Sequence, residues 1–104
     1  MLRREASAII LQPVHWDIFR LCRERKFRSD SRWIAEQTRA TVDEVNIALA
    51  RLLRLGMVQT NKSGRWMSAV DQIKDERDFQ RAALRRVRER AAEFHVKISL
   101  SVRH

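Results

Sequence analysis

A chain of 104 residues, 44% hydrophobic and 34% charged, has the make-up of one folded domain with a modest core and not of a disordered segment. Its charge is lopsided, at +9 from 22 Lys and Arg against 13 Asp and Glu, and arginine supplies most of it. Guanidinium forks match phosphate geometry, so the expected partner is anionic, most simply nucleic acid, and a single cysteine, Cys22, excludes an intrachain disulfide.

Residues 1–12 read as a basic N-terminal arm followed by a short extended segment. Ala8-Ile9-Ile10-Leu11 is too short for the apolar core of a signal peptide, and no apolar run nears the roughly 18 residues of a membrane span. With one cysteine and no export signal, the expected compartment is the cytoplasm. Pro13 suits the first position of a helix, and Val14, Ile18, Leu21 and Cys22 recur at helical spacing behind it. Trp16 and Phe19 point to a second face, so this first predicted helix meets two neighbours. His15, beside the tryptophan, reads as a packed or solvent-tipped histidine, and Cys22 as a buried structural thiol.

After the basic connector Arg23–Arg28, Ser29-Asp30-Ser31 offers N-caps for a second helix that runs to Thr38 or Arg39 and buries Ile34 and Ala35 with Trp33. Thr41 opens a third helix, over about 42–55, and Glu44 three residues on completes a capping box. At 100° per residue, Val42, Val45, Ala48, Leu49, Leu52 and Leu53 share its core side. Its outward face carries Asp43, Ile47, Ala50 and Arg54, flanked by Glu44, Asn46 and Arg51. Gly56 follows as a left-handed C-cap, and Gly64 gives the positive φ needed by a hairpin between Met57–Thr60 and Arg65–Ser68.

From Asp71 the composition shifts. A mixed-charge start, Asp71–Phe79, leads into a helix crowded with Arg81, Arg85, Arg86, Arg88 and Arg90. Within it Leu84, Val87, Ala91 and Phe94 form a short apolar seam that would dock on the first predicted helix or on its copy in a homodimer. Beyond Phe94, Val96, Ile98, Leu100 and Val102 alternate with polar residues; period two argues a terminal strand, with helical continuation through Ile98 as the alternative.

Helix, tight turn, helix and two-stranded hairpin resemble the winged helix-turn-helix superfamily over roughly residues 14–69. The resemblance rests on Trp33-Ile34-Ala35, Thr41–Val45, Leu52–Val58 and Gly64-Arg65-Trp66, and it departs in the turn Thr38-Arg39-Ala40, where many such units have a glycine. Small bacterial transcription regulators carry runs like Leu55 to Trp66. The resemblance implies a mainly α fold with a small β-hairpin, divided as the 1–12 arm, a winged helix-turn-helix domain over 13–69 and a helical extension over 70–104 for packing or dimerisation.

It also implies sequence-specific binding of double-stranded DNA as a transcription regulator. The third helix would enter the major groove with Thr41, Asn46, Ile47, Arg51 and Arg54, while Lys62 and Arg65 on the 57–68 wing meet phosphates. Arg32 and Arg39, at the ends of the second helix, would fix the register, and Trp66 would pack inward. The alternative is a winged-helix protein-interaction module that uses Ile47 and the acidic end of the third helix. A basic surface running from that helix to the wing favours DNA; an apolar one favours protein.

No catalytic constellation stands out. His15, His95 and His104 lie far apart and outside any metal-spaced motif, and no glycine-rich phosphate loop exists. No enzyme activity, metal or cofactor is expected.

Overall fold

The computed structural model describes the backbone of residues 2–102 and the side chains of residues 4–92. Five helices and one hairpin follow in the order α1 (Leu2–Leu11), α2 (Val14–Leu21), α3 (Ser31–Thr38), α4 (Val42–Arg54), β1 (Val58–Thr60), β2 (Trp66–Ser68) and α5 (Glu76–Val102). The fold is mainly helical with a two-stranded antiparallel hairpin, in which Val58 faces Ser68 and Thr60 faces Trp66.

Local chemistry sets most boundaries. Asp30 caps α3 by accepting from the Arg32 amide at 2.9 Å, and the Thr41–Glu44 capping box opens α4 as its spacing requires. A cap of this kind contributes about 1 kcal/mol. At the other end of α4, the amides of Met57 and Gly56 reach back to the carbonyls of Leu52 and Leu53, with Gly56 at φ +73°. This is the Schellman arrangement, and it turns Met57 and Val58 straight into the core. Gly64 takes φ +83° in the hairpin turn. Asn61 organises that turn, its side chain accepting from the amides of Ser63 and Arg65, each at 2.9 Å. Asp75 accepts from the Asp78 amide at 2.9 Å to start α5.

Arg39 supplies what a glycine would supply in the α3–α4 turn. It sits in the left-handed region at φ 57°, ψ 27°, a conformation that costs a side-chain-bearing residue about 1–2 kcal/mol.

One core runs through the chain. Ile18 and Phe19 of α2, Ile34 of α3, Val45, Ala48 and Leu52 of α4, Leu55, Met57, Val58 and Phe79 are all buried, and Trp33 and Trp66 pack against them half-buried. Phe79 lies 5.1 Å from Phe19 and 5.6 Å from Trp16, ring centre to ring centre, so the start of α5 is seated on α2. Arg23 holds the connector before α5: its Nη1 donates to the Ile73 carbonyl at 2.6 Å while its guanidinium lies 5.8 Å from the Phe19 ring centre. Burial pushes the Cys22 thiol up to about 12, so it is an inert core thiol at neutral pH.

Four sequence expectations need correction. The segment 1–12 is not an extended arm, because Leu2–Leu11 is helical and packs on α5, burying Ala8 and Ile9. Helix-favouring Leu-Arg-Arg-Glu-Ala and the apolar surface of α5 outweigh the strand preference of Ile9-Ile10. The docking seam of α5 is Phe79, Ala83 and Val87; Leu84 and Ala91 are half-buried, and the Phe94 side chain lies outside the described residues. Residues 96–102 continue α5 and form no strand. Extending a formed helix carries no nucleation cost, whereas a strand needs an edge to pair with, and β1–β2 is the sheet among the described residues. Finally, Val42 and Leu53, expected on the core side of α4, keep 38% and 36% of their surface exposed.

Candidate nucleic-acid interface

Two hydrogen bonds assemble a surface from three separate segments. The Ser31 hydroxyl at the start of α3 donates to Asn46 Oδ1, which sets the N-terminus of α3 beside the middle of α4. The Trp66 amide donates to the Ser29 hydroxyl at 3.0 Å, which ties β2 to the residues just before α3. Arg32 neighbours the first contact in sequence and Arg65 the second. The start of α3, the centre of α4 and the turn end of the hairpin are therefore linked in one patch.

Its cations come from the flanks. Arg32, Arg39, Lys62 and Arg65 are exposed, and among the described residues none of them is in an ion pair. Asn46 is exposed, with its amide nitrogen free of the Ser31 contact, and Ile47 is 59% exposed on the same helix. The Thr41 hydroxyl is engaged in the capping box, accepting from the Glu44 amide at 3.1 Å. It is a helix start before it is a contact.

The two arginines expected on the outward face of α4 are directed elsewhere. Arg54 is exposed, but its Nη2 lies 2.7 Å from Glu5 Oε1 of α1. Arg51 is half-buried, and its Nη1 lies 2.9 Å from His15 Nε2. Each is engaged by another helix: the Glu5 carboxylate of α1 holds Arg54, and the buried His15 of α2 holds Arg51. The centre of the outward face is thus Asp43, Asn46, Ile47 and Ala50, neutral or acidic in character, with cations around it.

His15 and Glu5 were not legible as partners of these arginines. The signal for His15 was present, since it shares the i, i+3, i+4 stripe of Ile18 and Phe19 and is fully buried with them. Its state follows from its neighbours. The Gln12 carbonyl, 2.9 Å from Nδ1, can only accept, and Arg51 can only donate, so Nδ1 carries the proton and Nε2 is the acceptor. Burial lowers the pKa of His15; the Gln12 carbonyl opposes this and the Arg51 charge adds to it.

With the folded value below the unfolded one, the unfolded chain binds the extra proton first. The contribution is fully present above the ordinary histidine value of about 6.5, and it is lost as pH falls through that value towards the folded one. Between the two values, stability should rise with pH by up to about 1.4 kcal/mol per unit. Subtracting the profile of His15→Asn from that of the native chain, by urea denaturation between about pH 5 and 7.5, isolates the effect; parallel profiles would refute the assignment.

Residues 1–95 match the family described as a domain of unknown function, DUF4423. The chain belongs to this family. No curated protein and no solved structure matches it. In this DUF4423 chain, no helix among the described residues is long and apolar enough to cross a membrane.

Proposed function

We propose that this chain is a winged helix-turn-helix protein that binds double-stranded DNA as a transcription regulator. In this reading α4 lies in the major groove and the β1–β2 hairpin is the wing on the phosphate backbone. The observation that carries it is the set of four exposed cations, Arg32 and Arg39 at the two ends of α3 and Lys62 and Arg65 in the hairpin turn, none of them in an ion pair among the described residues. Backbone cations at the rim fix register, and Asn46 and Ile47 between them suit base edges: an amide for adenine, an alkyl group for a thymine methyl. The overall charge of +9 supplies long-range attraction in addition.

Binding to random-sequence duplex across a salt series tests the reading. Log K should fall linearly with log salt, by about 0.9 for each phosphate neutralised. No measurable binding at low salt would eliminate it.

A second reading has its own observation. Ile47, Val42 and Leu53 are exposed apolar residues on α4, and Asp43 and Glu44 lie at its start, a composition that suits a protein partner. The two readings separate on Ile47→Asp. On DNA this change weakens a preferred site by about 1–3 kcal/mol and leaves the salt slope intact; on a protein-docking face it abolishes partner capture while the cation substitutions are silent.

A further inference from the structure

A second charge imbalance lies away from the patch just described, in the groove between α1 and α4. Arg4, Ser7, Ala8 and Leu11 of α1, Gln12 behind it and Arg51 of α4 line a single open cavity of about 420 Å³. Two arginines from different helices line this concavity, and no acidic residue does. Glu5, the acid of α1, is held by Arg54 at 2.7 Å. Among the described residues neither Arg4 nor Arg51 has an ion-pair partner.

Arg51 is the more telling of the two. It is half-buried, and among the described residues its side-chain partner is the neutral imidazole of His15 while its Nε is buried with no hydrogen-bond partner. A neutral acceptor satisfies the geometry of one N–H but not the charge, and a partly desolvated cation without a counter-charge is unfavourable. Arg4 adds a second positive charge to the same groove. Ser7 and Gln12 add neutral donors, which suit the remaining oxygens of a polyoxygen anion.

We propose that this groove is a phosphate site, in which one phosphate group is clamped between Arg4 and Arg51. Arginine forks bind phosphate oxygens through paired, charge-assisted hydrogen bonds. The cavity is larger than one phosphate and falls within the usual range for small-molecule sites, so a phosphomonoester fits with its organic part over Ala8 and Leu11. The phosphate of a nucleic-acid backbone has the same chemistry, and the test below distinguishes the two sources.

The first arm uses the full chain and inorganic phosphate with no nucleic acid, so its outcome is independent of whether the chain binds DNA. At pH 7.5 the thermal midpoint should rise saturably with phosphate and not with chloride at matched ionic strength, because the ligand binds the folded state alone. Backbone amide shifts in a phosphate titration should centre on residues 4–12 and on Arg51. Arg4→Gln changes an exposed residue and leaves the core intact, and it should weaken phosphate binding at least about tenfold, the loss that accompanies one charge-assisted hydrogen bond. Arg51→Lys keeps the charge without the fork and should weaken it similarly. Equal midpoint rises in chloride, an unchanged titration in Arg4→Gln, or amide shifts centred elsewhere would each overturn the proposal.

In the second arm, a short duplex is titrated against the native chain and Arg4→Gln. A salt slope lower by about one unit in the variant assigns the site to a backbone phosphate. Unchanged duplex binding, together with lost phosphate protection, assigns it to a free phosphate compound.

Discussion

Replacing Phe79 by alanine should destabilise the protein by about 3–5 kcal/mol, the cost usual for deleting a buried aromatic side chain. The ring is fully buried, and it is the point at which α5 meets α2, 5.1 Å from Phe19 and 5.6 Å from Trp16. Aromatic pairs in such tilted geometry add about 0.5–1.5 kcal/mol beyond the area they cover. Against the 5–15 kcal/mol typical of a whole domain, a loss of this size removes about a fifth of the margin or more. Urea denaturation followed by tryptophan fluorescence, to which Trp16 beside Phe79 contributes, measures it. Leu84→Ala is the comparison, because Leu84 is only half-buried and should cost clearly less. A Phe79→Ala loss below that of Leu84→Ala would show that α5 docks through another seam.

The second large effect concerns DNA. Changing Arg32, Lys62 and Arg65 to Gln and Arg39 to Asn removes together the four rim cations that have no ion pair among the described residues. Asn tolerates the left-handed backbone at position 39, so the α3–α4 turn is kept. If each cation meets one phosphate, the salt slope should drop by about 3.6, and affinity at 0.1 M salt by three to four decades, roughly equally for all sequences. Arg54→Gln should leave the slope near that of the native chain, since Glu5 already holds this guanidinium. A fourfold variant that keeps its slope, or an Arg54→Gln that matches its loss, would remove the rim from the interface.

The contrast between Arg54 and Arg65 marks where sequence reading stopped. Capping and turn chemistry was legible because it is local: Asp30, the Thr41–Glu44 box, Gly56 and Gly64 all act within a few residues, and each is where spacing puts it. The core of α4 was legible for the same reason, through the period of Val45, Ala48, Leu49 and Leu52. What failed was decided across the chain. Glu5 and Arg54 are 49 residues apart, and His15 and Arg51 are 36 apart, so no periodicity could reveal that these arginines turn away from the outward face of α4. The helix over Leu2–Leu11 was missed because its reason to form is the surface of α5. The alternation over residues 96–102 misled because side-chain period yields to a helix already propagating from Glu76.

The packing of α1 against α5 has a consequence for how the chain comes to be folded. Ala8 and Ile9 are buried on α1, which packs on an element whose buried described residues are Phe79, Ala83 and Val87, so the contact closes a loop of most of the chain. Loops of this length close at a modest entropic cost, yet such non-local pairings form late. At ordinary synthesis rates of 5–20 residues per second, roughly 4–16 s separate the emergence of Ile9 from that of Val87. Until Phe79, Ala83 and Val87 emerge, α1 and the rings of Trp16 and Phe19 lack the cover of α5, whereas the capping and turn residues from Asp30 to Gly64 act within a few residues and have already been synthesised. The nascent protein therefore carries its local caps and turns before it is stable, and a chaperone acting on it would meet the apolar faces of α1 and α2.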